Sequence, residues 1–147
     1  PMEGQNRFHC KSCKTIHYEN PKPTATLVCI KQNKLLLVRR AVEPAKDQWG
    51  LPGGFIELGE TANEGAIREL KEETNLEGTP TRLLGHCSHP NSIFGDVLLL
   101  GIEMKVLSWS EMKAGDDAAE AKLFSLSDLP PLAFSCHQKI VEMFRVG

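Results

Sequence analysis

Two apolar runs, residues 24–30 and 35–40, are rich in β-branched residues and leucine and flank the polar Lys31-Gln32-Asn33-Lys34, which predicts a β-hairpin. From residue 62 to 74 the period changes. Ile67, Leu70 and Thr74 recur at helical spacing with Ala66 beside them, and every residue but Gly65 suits a helix. Thr61, with Glu64 three residues on, forms a T-x-x-E capping box that sets the helix start. Residues 81–86 and 96–107 read as strands, the second long enough to be central, with HCSHPNSIFG (86–95) as the loop between them. A polar loop, 108–119, leads to a short strand at 122–126. After Pro130-Pro131 a last helix begins at Ser135, its Ile140, Val141, Met143 and Phe144 spaced for docking on a sheet. This order predicts a layered α/β or α+β domain.

Length and charge narrow the classes. A chain of 147 residues is one domain, large enough to bury its own core. A net charge of −2 leaves no electrostatic footprint for nucleic acid or an anionic membrane. There is no bilayer-spanning apolar run and no signal-peptide pattern. Five cysteines, an odd number without a regular framework, predict reduced thiols and a cytoplasmic protein. Pro1 ahead of Met2 reads as a cloning scar.

The chemistry concentrates after Gly53-Gly54. Glu69, Glu72 and Glu73 lie at i, i+3 and i+4 and share a second face of the helix. Like charges at that spacing repel, and Arg68 is placed to relieve Glu72. The face is either an ordinary solvated one or, with the carbonyls of the glycine turn, a cage of hard oxygens for Mg²⁺ or Mn²⁺. Spacing alone leaves both readings open.

Gly54, Glu60, Arg68, Glu69, Leu70, Glu72, Glu73 and Leu76 match in register the signature G-x5-E-x7-R-E-U-x-E-E-x-G-U, where U is a bulky aliphatic residue. The segment resembles the Nudix hydrolase family. Asn75 departs from the pattern, standing where the family has glycine; asparagine is the next most tolerant residue of a left-handed helix end. The resemblance covers roughly residues 24–146 and implies an α/β/α sandwich around a mixed sheet. It implies that Glu69, Glu72 and Glu73 hold a divalent ion with help from the Gly53 carbonyl and Glu60. Arg68 would orient a glutamate. Glu120, one residue before AKLFSLSDLP, looks like the further metal-binding or water-activating glutamate that such proteins supply from a loop. Asp116 and Asp117 precede it.

Several other positions are weighed as site residues. Arg39 and Arg40 end the second strand near where a phosphate-bearing ligand needs cations; a solvated strand end is the equal alternative. Phe55 follows the glycine turn and is expected to touch substrate. Trp49 reads as a packing residue under the turn. His86 and His89 lie on a loop without acidic neighbours, which favours a specificity loop or plain surface over a metal. The stretch CKSCKTIHYENPKP resembles the second knuckle of a zinc ribbon that some Nudix proteins carry, so residues 1–23 form an N-terminal extension ahead of a Nudix domain at 24–147. Cys10 and Cys13 are half a site, and zinc binding would need ligands borrowed from elsewhere, as across a homodimer.

The resemblance implies hydrolysis of the pyrophosphate of a nucleoside diphosphate linked to another group. NPKP and LPGGFIELGE look most like the ADP-ribose and NADH-cleaving branches, although no SQPWPFP-like stretch follows the signature. The expected partner is a small nucleotide, with neither nucleic acid nor membrane. The alternatives are a nucleotide sensor of the same fold without catalysis, and a MutT-like nucleoside triphosphate pyrophosphohydrolase. Survival of every signature carboxylate favours the enzyme.

Overall fold

The computed structural model describes residues 19–147, the Asn91 side chain excepted, and before them the backbone of two short strands, β1 (Phe8–His9) and β2 (Ile16–His17), paired antiparallel. Cys10 and Cys13 lie outside the described residues.

The hairpin forms as β3 (Lys22–Lys31) and β4 (Lys34–Arg40), turning through Gln32 and Asn33, both at positive φ, the geometry a two-residue hairpin requires. The two strands pair only at Ile30↔Leu35 and Lys31↔Lys34 and then part. Beyond the split, β3 pairs antiparallel with β6 (Gly53–Phe55) and parallel with β8 (Gly95–Val106), while β4 pairs with β5 (Trp49–Gly50) and β9 (Ala118–Ser125). The glycine turn is inserted at this split, where Leu27 donates its N–H to the Pro52 carbonyl at 2.9 Å. Strand β7 (Gly78–Ser92) closes the other edge of the sheet.

Alternation along the strands feeds two cores. Ala25, Leu27, Cys29 and Leu36 pack with Ala66, Leu70 and Leu76 under α1 (Ala62–Thr74). Val28, Leu35 and Leu37 pack with Leu51, Ile140 and Val141 under α2 (Ser135–Val146). The result is helix, mixed sheet, helix. No helix of the described residues is long and apolar enough to cross a membrane.

Four expectations change. Ile67 is exposed, because the buried stripe of α1 runs through Ala66, Leu70 and Thr74 and Ile67 falls one position round the helix. Residues 86–95 are not a loop: β7 continues to Ser92, and only a tight turn separates it from β8. Pro80 and Pro90 are tolerated because β7 is an edge strand and owes no N–H to an outer neighbour. Glu120 is not on a loop either, since pairing with β4 starts β9 at Ala118. Finally, Cys87 and Cys136 are joined in a disulfide between β7 and α2 rather than reduced; Cys29 is free and buried, its thiol pushed up to about 12 by desolvation.

Candidate active site

The signature helix begins as its sequence dictates. Thr61 accepts from the Glu64 N–H at 3.1 Å while Glu64 accepts from the Thr61 N–H at 2.8 Å, so two otherwise unpaired donors are satisfied. It ends at Asn75, held left-handed at φ 60° and ψ 17°. Loop 108–117 is fastened to that end: Asn75 Nδ2 donates to Glu111 O, Lys113 N–H to Thr74 O, and Gly115 N–H to Glu73 O.

Arg68 organises the acidic face. Its Nε and Nη2 grip both oxygens of Glu60 at 2.9 and 2.8 Å, Nη1 donates to Glu69 at 2.9 Å and to Glu72 at 3.0 Å, and Nη2 also reaches the Phe55 carbonyl at 3.0 Å. Helical spacing brings Arg68 to Glu72 alone, and the fold adds Glu60, Glu69 and the Phe55 carbonyl. This fork-to-carboxylate pairing pulls Glu60 down to about 2 and raises the guanidinium further above its ordinary range. Glu60 in turn accepts from the Glu57 N–H at 2.8 Å, tying the loop to the helix.

Glu69 and Glu73 behave in the opposite way. Burial first, then the neighbouring carboxylates Glu72 and Asp116, raises Glu69 against the pull of Arg68. Burial likewise pushes Glu73 up to about 8, helped by Glu69 and Asp117 and opposed by the Gly53 N–H and by Arg40. Glu73 accepts from that Gly53 N–H at 2.9 Å, so the turn contributes an amide here.

Two glycines make the close approach possible. Gly53 has φ 148°, and a Cβ on it would run into the Ala25 carbonyl of β3. A Cβ on Gly54 would lie 2.5 Å from both oxygens of Glu69. The cradle therefore exists only without side chains.

The residues suit a hard divalent cation. Their donors are carboxylates, and Glu69 and Glu73 are carboxylates whose charge their present surroundings penalise, a cost that a cation would remove. Among the described residues no three such side chains yet stand close enough to hold an ion as they are, because Glu72 is turned to Arg68 and Glu73 to Gly53.

The remaining candidates separate. Glu120 lies on β9 directly opposite Arg39, 3.3 Å from its Nε, and Arg39 also bonds Asp47 at 3.0 Å. That pair is engaged with itself. The loop carboxylates whose charge reaches Glu69 and Glu73 are Asp116 and Asp117. Arg40 is half-buried, and Phe55 is exposed with its ring edge-on to Phe94 of the β7–β8 turn at 5.4 Å. Trp49 packs edge-on against Phe124 at 4.8 Å, as a packing residue should. His86 is exposed on β7, while His89 lies near Phe134 at 6.5 Å.

His137 escaped the sequence reading. Buried on α2, it accepts the Leu51 N–H on Nδ1 at 3.0 Å, and desolvation first, then the charges of Arg40 and His89, lowers it to about 4. It is therefore neutral with the proton on Nε2, and it holds the start of the glycine turn from behind. Nothing local in the sequence marks it.

A family profile described as the NUDIX domain matches residues 21–144. The chain belongs to the Nudix family, as a pyrophosphate hydrolase. It is 43% identical over 126 residues to an ADP-ribose pyrophosphatase of Methanocaldococcus jannaschii, covering 85% of this chain and 73% of that one. It is 29% identical over 136 residues to the NAD-capped RNA hydrolase NudC of Vibrio vulnificus, covering 88% of this chain but 48% of the relative, about half its length. A crystal structure of a Nudix hydrolase from Nitrosomonas europaea superposes with a TM-score of 0.83 at 30% identity, covering 97% of this chain and 82% of that one. Hydrolases of this family generally use divalent metals.

Proposed function

We propose that the chain cleaves the pyrophosphate bond of ADP-ribose or of a dinucleotide such as NADH, with Mg²⁺ or Mn²⁺. The observation that carries this reading is the Arg68 fork, which bonds Glu60, Glu69 and Glu72 at once while Gly54 makes room for Glu69. The similarity to an ADP-ribose pyrophosphatase along most of both chains supports the substrate class.

Glu69, Glu72 and Glu73 would hold the ion, with the Gly53 carbonyl beside them. The ion, when bound, neutralises phosphoryl charge that would otherwise repel an attacking water. Arg68 aims Glu69 and Glu72 and keeps Glu60 ionised as their support. The Gly53 N–H fixes one oxygen of Glu73 and leaves the other for the ion. Phe55 and the cation of Arg40 serve the substrate's ring and phosphate. Glu120 stays with Arg39. Residues 24–147 are the catalytic domain and residues 1–23 an extension.

Incubation with ADP-ribose and Mg²⁺ followed by chromatography tests this reading: AMP and ribose 5-phosphate are expected. Absence of AMP, or a nucleoside triphosphate preferred by about tenfold or more in kcat/KM, refutes it.

A further inference from the structure

Helix α2 begins oddly. Its N-cap position is Phe134, which makes no side-chain capping bond, although this position favours Ser, Thr, Asp or Asn. The ring has another contact. The Arg40 guanidinium lies 5.2 Å from its centroid, within cation–π range. Arg40 is held at one further point, where Nε donates to the Pro44 carbonyl at 2.6 Å. Among the described residues its two terminal nitrogens donate to no protein acceptor. Arg39 differs, with its donors given to Glu120 and Asp47.

The Phe134 ring is bracketed beneath Arg40 by two imidazoles. His137 meets it at 5.2 Å and 72°, and His89 at 6.5 Å and 63°. A guanidinium tethered at Nε, stacked on a bracketed ring and unused at its outer edge is a fork prepared for an oxyanion. Its charge is already felt at Glu73.

We propose that Phe134 is a positioning residue, setting the plane of Arg40 so that its free edge takes phosphoryl oxygens of the substrate. This rests on the pyrophosphatase reading above. It explains why an aromatic residue stands where a capping side chain would serve the helix better.

The test is a double-variant cycle with steady-state kinetics on ADP-ribose and calorimetric binding of ADP-ribose. Phe134→Leu is expected to raise KM about fivefold, with kcat changed less than about twofold. Phe134→Tyr keeps the ring face and restores KM. Arg40→Ala raises KM on its own, and adding Phe134→Leu to it produces no further rise, because the ring acts only through the guanidinium. Melting curves on the four variants and the wild type identify any loss that comes from unfolding. An unchanged KM in Phe134→Leu, failure of the tyrosine to restore it, or an additive loss in the double variant overturns the proposal. If the wild type binds ADP-ribose without releasing AMP, the hydrolase reading fails, and the same cycle in Kd still decides the role of Phe134. Binding by none of the proteins overturns both.

Discussion

Gly54 and Glu69 are in mutual contact across the turn and the helix: a methyl group on Gly54 would sit 2.5 Å from both carboxylate oxygens. The backbone at Gly54 is not left-handed, so alanine brings no strain of its own. Gly54→Ala should therefore fold normally, push Glu69 aside, and lower kcat about a hundredfold, the scale expected for a displacement near 1 Å. Activity within about threefold of wild type in Gly54→Ala would show that Glu69 need not lie there.

Glu72→Gln and Glu73→Gln should each remove most activity at saturating Mg²⁺ while the fold persists. Glu72 has its Arg68 contact and Glu73 its Gly53 contact to preserve through the amide oxygen. Comparable turnover by either variant would remove that residue from the ion-holding set.

Glu73 also makes a pH prediction for metal-free protein. Its carboxyl is raised from 4.5 to about 8, so the folded state binds more protons than the unfolded one between those values. The stability it contributes is complete below pH 4.5 and is lost as pH rises through 8. The unfolding free energy of Glu73→Gln relative to wild type should thus grow in favour of the variant from pH 5 to 8, by about 3 kcal/mol as an upper bound. The acid-side contribution of His137 is common to both proteins and cancels. A pH-independent difference would mean that Glu73 is ionised in the fold at little cost.

The helix end is a matter of stability alone. Asn75 is left-handed at φ 60°, where a β-branched side chain is disfavoured. Asn75→Gly should be neutral or stabilising, and Asn75→Val should cost about 1 kcal/mol or more by denaturant titration. Both variants lose the bond to the Glu111 carbonyl, which glycine offsets by its freedom at positive φ and valine does not, so an unchanged midpoint in Asn75→Val would contradict both features.

The Cys87–Cys136 disulfide closes a loop of 49 residues in sequence separation. Loop entropy assigns such a link about 4 kcal/mol, and measured links commonly give about 2–4. Dithiothreitol should lower the melting temperature of the wild type and leave Cys87→Ala unmoved. Equal melting curves with and without reductant would mean that the two thiols are unlinked in solution.

What the sequence showed well was what short-range rules control. Thr61 and Glu64 form their box, and Asn75 ends the helix, because each depends on neighbours within a few residues. Elements set from afar were misread. Pro90-Asn91 signals a turn in isolation, yet β7 runs through it as an edge strand paired to β8. Glu120 looks like a loop acid until β4 draws it into register with Arg39. His137, Phe134 and the Cys87–Cys136 pair carry no local sign, since their partners lie 49 to 94 residues away.

The hold of His137 on Leu51 has a consequence for when the protein becomes competent. The glycine turn is pinned in front by β3, through Thr26↔Gly53, and behind by a side chain from the final helix. A chain emerging from the ribosome can cap α1 and close the β3–β4 hairpin early, because both are local. It cannot complete the turn until α2 has followed. Activity should accordingly appear last in refolding, after far-ultraviolet dichroism has recovered, and a chain cut before Ser135 should keep Glu69, Glu72 and Glu73 yet have no settled turn to face them.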